Sequence, residues 1–152
     1  FISNFLKSNY NGFNVTIPHK KTIINKCDEL NLRAVEIGAV NCVLNKNKKL
    51  WGFNTDWFGF TNLLKANSID VAGKSILILG AGGVAYSILY SLLIGNAKNI
   101  WIKNRTSSNT KKLINNFTLS SYTSKIEELY NIENKINQID IIINYIHKFI
   151  VL

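Results

Sequence analysis

The chain has 152 residues, of which 47% are hydrophobic and 18% are charged, and this composition favours a folded protein over a disordered one. It contains no apolar run near the roughly 18 residues of a membrane-spanning helix and no signal-peptide pattern, so we expect a cytoplasmic protein with no membrane partner. Eighteen basic residues against nine acidic ones give a net charge of +9, but the basic residues are mainly scattered lysines in a chain rich in Lys, Asn and Ile, and we expect no nucleic-acid partner.

The first half of the chain predicts strands and helices in mixed order. Residues 12–18 alternate apolar and polar side chains and end in a proline, as a strand that leads into a helix does. Residues 19–31 place apolar side chains at helical spacing. Residues 34–44 and 49–54 are predicted as strands with a polar turn between them, and an amphipathic helix follows near residues 56–66.

The second half alternates strand and helix regularly. Residues 74–96 combine a buried apolar strand, a glycine turn and an apolar helix. A second strand is predicted over residues 99–106, a second helix over 107–117 and a third strand over 138–144. This spacing is typical of a parallel, doubly wound sheet, so we predict an α/β protein built from two α/β units.

The glycine turn predicts a dinucleotide site. Gly80, Gly82 and Ala85 follow the G-x-G-x-x-[GA] pattern, directly after a strand and at the start of a helix. The first glycine permits a tight turn, the second lets the backbone approach a pyrophosphate, and the alanine lets the helix pack on the strand. The N–H groups of the helix N-terminus face the anion. The predicted pyrophosphate site is Gly80, Ala81, Gly82, Gly83 and Val84.

The end of the second strand indicates which dinucleotide is bound. NAD sites usually place an acidic residue there to hold the ribose 2′-hydroxyl. This strand ends in Asn104, Arg105 and Thr106 with no acidic residue in reach. Arg105 can hold a 2′-phosphate bidentately and Thr106 can donate a hydrogen bond to it, although Arg105 is alternatively a solvated charge at a strand end. We predict NADP as the cofactor.

Two side chains of the first half can form an acid–base pair. Lys20 is predicted in the first turn of a helix beginning near Pro18, where the helix dipole disfavours the ammonium form. Asp56 is predicted in the first turn of the later helix, capped by Asn54 or Thr55, where the dipole stabilises a carboxylate. An ionised Asp beside a Lys can orient it for moving a hydroxyl proton, although both are alternatively surface charges.

Five motifs in this order, GFNVTIPHK, GAVNCVL, GFNTDWFGF, ILGAGGVA and NRT, resemble those of the shikimate dehydrogenase family over residues 12–144. The resemblance implies an NADP-dependent oxidoreductase acting on a CH–OH group. It reversibly reduces 3-dehydroshikimate to shikimate with NADPH, on the route to chorismate and the aromatic amino acids. It also implies a substrate-binding and catalytic domain in residues 1–70 and an NADP-binding Rossmann domain in residues 71–152.

The resemblance also implies a role for each motif residue. Lys20 would be the catalytic acid/base with Asp56 as its partner, and Thr16, Lys20, Asn41 and Asp56 would bind a small-molecule substrate through its hydroxyls. The glycine turn would hold the pyrophosphate, and residues 104–106 the adenosine 2′-phosphate. Asn41 is alternatively a structural turn amide, and Thr16 a strand residue. The oligomeric state, monomer or homodimer, stays open.

The chain departs from the family pattern in a few places. Cys42 and Trp57 each follow a motif residue where the family often has Thr and Gly, and the last eight residues, which include His147, do not match. Cys27 and Cys42 lack the spacing of a metal site, so no metal is expected. We expect a partial domain at each end, in a fragment or a truncated product. Quinate/shikimate dehydrogenase and a non-catalytic remnant that at most binds nucleotide remain alternatives.

Overall fold

The computed structural model describes residues 2–118 and 122–144, so the tail that contains His147 lies outside the described residues. The chain divides into two compact units, Phe1–Asp56 and Trp57–Leu152. Trp57 already belongs to the second unit.

The unit boundary falls earlier in the chain than the domain boundary predicted near residue 70. Trp57 packs edge-on against Tyr90, with 5.7 Å between ring centroids. The Ser91 hydroxyl donates to the Trp57 carbonyl at 3.0 Å. These contacts tie the start of the helix at Asp56–Ala66 to the second unit. The assignment of functional domains to residues 1–70 and 71–152 stays a prediction.

The first unit is a four-stranded mixed sheet with short helical segments. Its elements are α1 (Ile2–Leu6), β1 (Gly12–Asn14), a 3-10 helix (Thr22–Lys26), β2 (Glu29–Leu30), α2 (Leu32–Ile37), β3 (Cys42–Lys46) and β4 (Lys49–Phe53). The strand order is β1-β3-β4-β2, in which only the β2–β4 pair is parallel. Its buried core consists of Phe5, Val15, Ala34, Val40, Val43 and Leu50.

The helix predicted over residues 19–31 is wrong in most of its length. Its first residues form a turn, and only a 3-10 helix follows. Asp28 N–H donates to the Leu50 carbonyl at 2.9 Å, and Asn31 N–H donates to the Gly52 carbonyl at 2.9 Å. These hydrogen bonds align residues 28–31 with β4, so the helical spacing of the apolar residues is overridden by pairing with a strand.

The strand predicted over residues 34–44 is also wrong at its start, because Ala34–Ile37 lie in α2. The Asn31 side chain caps this helix by accepting from Arg33 N–H at 2.9 Å. Gly38 ends it with a φ of 68°, in the left-handed region. Both residues are local sequence signals of a helix boundary. The predicted turn before β4 is confirmed as a β3–β4 hairpin.

The second unit confirms the predicted parallel α/β sheet. Its elements are α3 (Asp56–Ala66), β5 (Ser75–Leu79), α4 (Gly83–Ile94), β6 (Asn99–Lys103), α5 (Ser107–Asn115), β7 (Lys125–Glu128), a 3-10 helix (Ile136–Gln138) and β8 (Ile141–Asn144). The first residue of α3, Asp56, belongs to the first unit. The strand order is β7-β6-β5-β8, with every pair parallel. Strand β5 is the most deeply buried, and α4 is buried along nearly its whole length, which explains its apolar sequence.

Strand β7 was missed by the sequence analysis. Its sequence, Lys-Ile-Glu-Glu, contains a single apolar residue. It pairs with β6 alone in the described sheet, so it needs little apolar surface to stay in place. Within residues 2–118 and 122–144, no helix is both long and apolar enough to cross a bilayer. In the same part of the chain, no cluster of His, Cys, Asp and Glu side chains has the arrangement of a metal site.

Candidate active site

Lys20 and Asp56 form an ion pair in the first unit. The distance between Lys20 Nζ and Asp56 Oδ2 is 2.7 Å. Lys20 is only 8% exposed, although lysine is rarely buried without a partner. The carboxylate offsets the cost of taking the ammonium out of water, and it orients the ammonium as well.

Lys20 is held by a turn and not by a helix, which corrects the sequence analysis. It lies between β1 and the 3-10 helix, and its carbonyl accepts from Val40 N–H at 2.8 Å. The helix-dipole argument for Lys20 therefore does not apply. Asp56 does lie in the first turn of α3, as predicted, and its N–H donates to Asn54 Oδ1 at 3.1 Å.

Asn41 connects the ion pair to the start of α3. Its Nδ2 donates to Asp56 Oδ1 at 2.7 Å and to Thr55 Oγ1 at 2.9 Å. Its Oδ1 accepts from Thr55 N–H at 2.8 Å. Its backbone is fixed on both sides, by Val15 N–H on its carbonyl at 2.8 Å and by the Phe53 carbonyl on its N–H at 3.0 Å. Each carboxylate oxygen of Asp56 therefore has its own partner.

Asn54 and Thr55 are predicted from the sequence only as helix caps, although both help to build the site. Asn54 is 4% exposed, and its Nδ2 donates to the Ala39 carbonyl at 3.0 Å. Through its two ends it links the start of α3 to the loop after α2. The run of three polar residues, Asn54 to Asp56, after an apolar strand was the available signal.

Thr16 is the one predicted substrate residue outside this network in the described part of the chain. Its carbonyl accepts from His19 N–H at 2.8 Å, while its exposed side chain lines a groove of about 450 Å³. Phe13, Val15 and Ile23 line the same groove. The structure thus brings Lys20, Asn41 and Asp56 together, whereas the Thr16 side chain faces the groove in the same unit.

The glycine turn of the second unit, predicted as a pyrophosphate site, joins β5 to α4. Gly80 has a φ of 110°, which strongly favours glycine, and its N–H donates to the Lys103 carbonyl at 2.9 Å. Gly82 is the N-cap residue of α4, and no side chain caps this helix. A methyl group at Gly82 would meet nothing within 4 Å, so the space in front of the helix is open. The donors present fit an anion of this kind.

Residues 104–106 join β6 to α5. Asn104 Nδ2 donates to the Thr106 carbonyl at 2.9 Å, and Thr106 is the N-cap residue of α5. Arg105 is exposed and makes no hydrogen bond or ion pair with the residues that the structure describes. Its guanidinium is therefore accessible to a phosphate group.

An acidic residue lies close to this strand end, contrary to the sequence analysis. Ser107 Oγ donates to Glu128 Oε2 at 3.0 Å. Glu128 ends β7, the strand that the sequence analysis missed, and β7 pairs directly with β6. Ser107 and Glu128 are far apart in the sequence, so the contact could not be recognised there. The two residues meet because neighbouring parallel strands bring their carboxyl ends to the same edge of the sheet.

Two family models match the chain. The model described as "Shikimate dehydrogenase substrate binding domain" matches residues 1–43. The model described as "Shikimate / quinate 5-dehydrogenase" matches residues 62–148. The two matches follow each other in the same order as the two compact units.

Individual proteins resemble the chain in sequence and in fold. Shikimate dehydrogenase (NADP(+)) of Caldanaerobacter subterraneus subsp. tengcongensis is 41% identical over 137 residues, which are 88% of this chain and 48% of the relative. The crystal structure of shikimate dehydrogenase from Aquifex aeolicus has a TM-score of 0.85 at 37% identity, covering 95% of this chain and 52% of that one. Shikimate 5-dehydrogenase from Listeria monocytogenes, in complex with shikimate and NAD, has a TM-score of 0.81 at 31% identity, covering 95% and 53%.

The chain spans about half the length of the relatives that it matches. The match of the dehydrogenase model extends over more than half of the chain, and the similar structure from Aquifex aeolicus covers 95% of it. The chain therefore belongs to the shikimate/quinate 5-dehydrogenase family.

Proposed function

We propose that this chain supplies the acid–base pair and the dinucleotide site of an NADP-dependent shikimate dehydrogenase. The reaction is the reversible reduction of 3-dehydroshikimate to shikimate, on the route to chorismate and the aromatic amino acids. The observation that carries the proposal is the ion pair between Lys20 Nζ and Asp56 Oδ2 at 2.7 Å, with Asn41 on the second carboxylate oxygen. A cytoplasmic location and a small-molecule substrate belong to the same proposal.

Lys20 is the residue that moves a proton in this proposal. A bound reduced nicotinamide would supply the hydride for reduction, and its oxidised form would accept the hydride in the reverse direction. In the direction of reduction, Lys20 Nζ gives a proton to the carbonyl oxygen of the substrate as that oxygen becomes a hydroxyl. In the reverse direction it takes the hydroxyl proton. Asp56 holds Lys20 Nζ in a fixed orientation. General acid–base catalysis requires this orientation, because the proton must be transferred at a defined position.

Asp56 also has acceptor capacity left for the substrate. A carboxylate offers about four acceptor positions, and in the described part of the chain only one contact is made by each oxygen of Asp56. A substrate hydroxyl can therefore donate to Asp56 while Lys20 remains paired. Thr16 offers a further hydroxyl in the same unit. A small polyol needs several such fixed partners, since a buried hydroxyl left unpaired costs about 1–3 kcal/mol.

The cofactor assignment is supported by the second unit. Residues 80–84 would hold the pyrophosphate of NADP, and Asn104, Arg105 and Thr106 its 2′-phosphate. The exposed, planar guanidinium of Arg105 can donate hydrogen bonds to two oxygens of a phosphate group at once. NAD is the competing cofactor, as the Listeria relative was crystallised with it. Quinate is the competing substrate, because the matching family model covers both dehydrogenases.

The first test is shikimate-dependent reduction of NADP⁺ by the chain, with NAD⁺ and quinate assayed in parallel. We expect turnover with shikimate and NADP⁺. Lys20→Ala should lower kcat by about 10²–10⁴-fold, the usual contribution of a general acid–base residue, while NADP⁺ still binds. Lys21→Ala is the matched control, because this neighbouring lysine is exposed and should leave kcat unchanged.

Several results would contradict the proposal. Turnover that survives Lys20→Ala would remove Lys20 from the mechanism. Turnover with NAD⁺ alone would overturn the assignment of Arg105. Preference for quinate would move the chain to the quinate branch of the family. A chain that binds NADP⁺ but turns over neither substrate would be a non-catalytic remnant.

A further inference from the structure

We propose that Glu128 is a positioning residue for dinucleotide choice, which holds the β6–α5 connection in the shape that accepts a 2′-phosphate. The inference rests on the proposed function, because it has a role to assign only if Arg105 and Thr106 meet the 2′-phosphate of NADP. It goes beyond that function because it places a determinant of cofactor preference on β7. This strand belongs neither to the glycine turn nor to the motif at the end of β6.

Both ends of the triplet at residues 104–106 are tied to the same short segment. Ser107 Oγ donates to Glu128 Oε2 at 3.0 Å, directly after the triplet. Lys103 Nζ donates to the Tyr130 carbonyl, directly before the triplet. We call residues 128–130 the clasp. A segment fixed at both ends has few alternative paths, so the clasp limits how the triplet can move.

The clasp itself is held firmly. Leu129 N–H donates to the Ile102 carbonyl at 2.8 Å, and the Leu129 side chain, 9% exposed, packs in a core that includes Trp101. Tyr130 OH donates to Glu128 Oε2 at 2.8 Å. The carboxylate oxygen that receives Ser107 is thus oriented by a second donor, and its strand is anchored by the sheet.

The phosphate-facing residues depend on this backbone for their direction. The Thr106 side chain does not cap α5, and Arg105 makes no hydrogen bond or ion pair with the described residues. The internal tie that the structure shows is Asn104 Nδ2 to the Thr106 carbonyl at 2.9 Å. A bidentate guanidinium–phosphate contact requires a well-defined approach. The Ser107–Glu128 contact therefore prepares that approach before the ligand arrives.

Glu128 acts here as a hydrogen-bond acceptor and not through its charge. A carboxylate near a phosphate repels it, so charge alone would favour NAD. Glutamine offers an oxygen of the same reach that can accept from Ser107 and Tyr130. Glu128→Gln should therefore preserve NADP binding, whereas Glu128→Ala should weaken it. This contrast separates positioning from simple electrostatics.

The test measures the dissociation constants of NADP⁺ and NAD⁺ by calorimetry for the chain and for its variants. Loss of one positioning hydrogen bond should weaken NADP⁺ binding by about 3–10-fold in Glu128→Ala and in Ser107→Ala, with NAD⁺ changed less than about twofold. Glu128→Gln should bind NADP⁺ at least as tightly as the unaltered chain. Glu127→Ala is the matched control, since this neighbouring carboxylate binds Lys125 and Trp101 instead.

The outcomes distinguish failure of the proposed function from failure of the proposed role of the clasp. If the unaltered chain binds neither dinucleotide, or only NAD⁺, the proposed function fails and the clasp fails with it. If the unaltered chain prefers NADP⁺ and Glu128→Ala weakens both dinucleotides equally, or neither, the clasp alone is overturned. The same holds if Glu128→Gln is as weak as Glu128→Ala. If Glu128→Ala fails to fold by circular dichroism, Ser107→Ala removes the same contact from the other side and decides.

Discussion

Asp56 is the residue on which the candidate site depends most. Its two oxygens have separate partners, the ammonium of Lys20 and the amide of Asn41. Its own N–H is bonded by Asn54, so its position relative to the helix start is set as well. A group held at both oxygens and at its backbone has little freedom to turn away from Lys20. The site is therefore organised before a substrate binds.

Removing the Asp56 carboxylate should destabilise the fold. In Asp56→Ala the ammonium of Lys20, 8% exposed, would lose its counter-charge. A quarter of the Asp56 side chain is exposed, so we expect a loss of about 2 kcal/mol in the free energy of unfolding, below the roughly 3–5 kcal/mol of a fully buried pair. Urea unfolding followed by circular dichroism measures this change.

The control for this prediction is the exposed pair of Lys125 and Glu127. Its atoms are 2.9 Å apart, but the side chains are 68% and 42% exposed, so water screens them. Lys125→Ala should cost no more than about 0.5 kcal/mol. Equal losses in the two variants would mean that burial of Lys20 has no energetic consequence.

At the scale of elements, two glycines should change the stability of the fold in opposite directions when each is replaced by alanine. One lies inside a helix and the other in the turn before a helix. Gly59 lies on the exposed face of α3, and an added methyl group would meet nothing within 4 Å. Gly59→Ala should raise the free energy of unfolding by about 0.5–1 kcal/mol, because alanine has the higher helix propensity. The urea midpoint reports the change, and a fall in stability would contradict the assignment of this position.

Gly80 should behave oppositely because its φ is 110°. A side chain rarely adopts that conformation, so Gly80→Ala should lower stability by about 1–3 kcal/mol. NADP⁺ binding should weaken in the same variant, since the turn that presents Gly82 must shift. Calorimetry with NADP⁺ checks the second part. Unchanged binding would show that the glycine turn does not hold the pyrophosphate.

Some elements could be predicted from local sequence and others could not. Strand β5, α4 and β6 were predicted because a buried parallel strand and a buried helix each leave a continuous apolar run. The helix predicted over residues 19–31 is reduced to a 3-10 helix at Thr22–Lys26, because the hydrogen bonds of Asp28 and Asn31 to β4 end the helical path. Strand β7 was not predicted either, because a short edge strand with one apolar residue has no distinctive pattern.

At the scale of the whole molecule, the net charge of +9 favours anionic ligands in general. NADP carries more negative charge than NAD, so its binding should depend more strongly on salt. Between about 0.1 M and about 1 M NaCl the screening length falls from about 10 Å to about 3 Å. Over this range we expect the affinity for NADP⁺ to fall at least twofold more than that for NAD⁺. Calorimetric titrations at both concentrations measure it, and equal salt dependence would argue against recognition of the 2′-phosphate by Arg105.

The sequence by itself determined the family, the parallel α/β sheet and the glycine turn. The family rests on the resemblance of five motifs taken together. The sheet and the turn depend on residues that are neighbours in the chain, so periodicity and spacing report them directly. The tertiary structure decided that Lys20, Asn41 and Asp56 share one hydrogen-bonded network, and that Glu128 reaches Ser107. A turn, a loop and a helix start meet only through the order and register of the strands between them. Contacts between residues that are distant in the chain leave no local sequence pattern, so the sequence alone could not predict them.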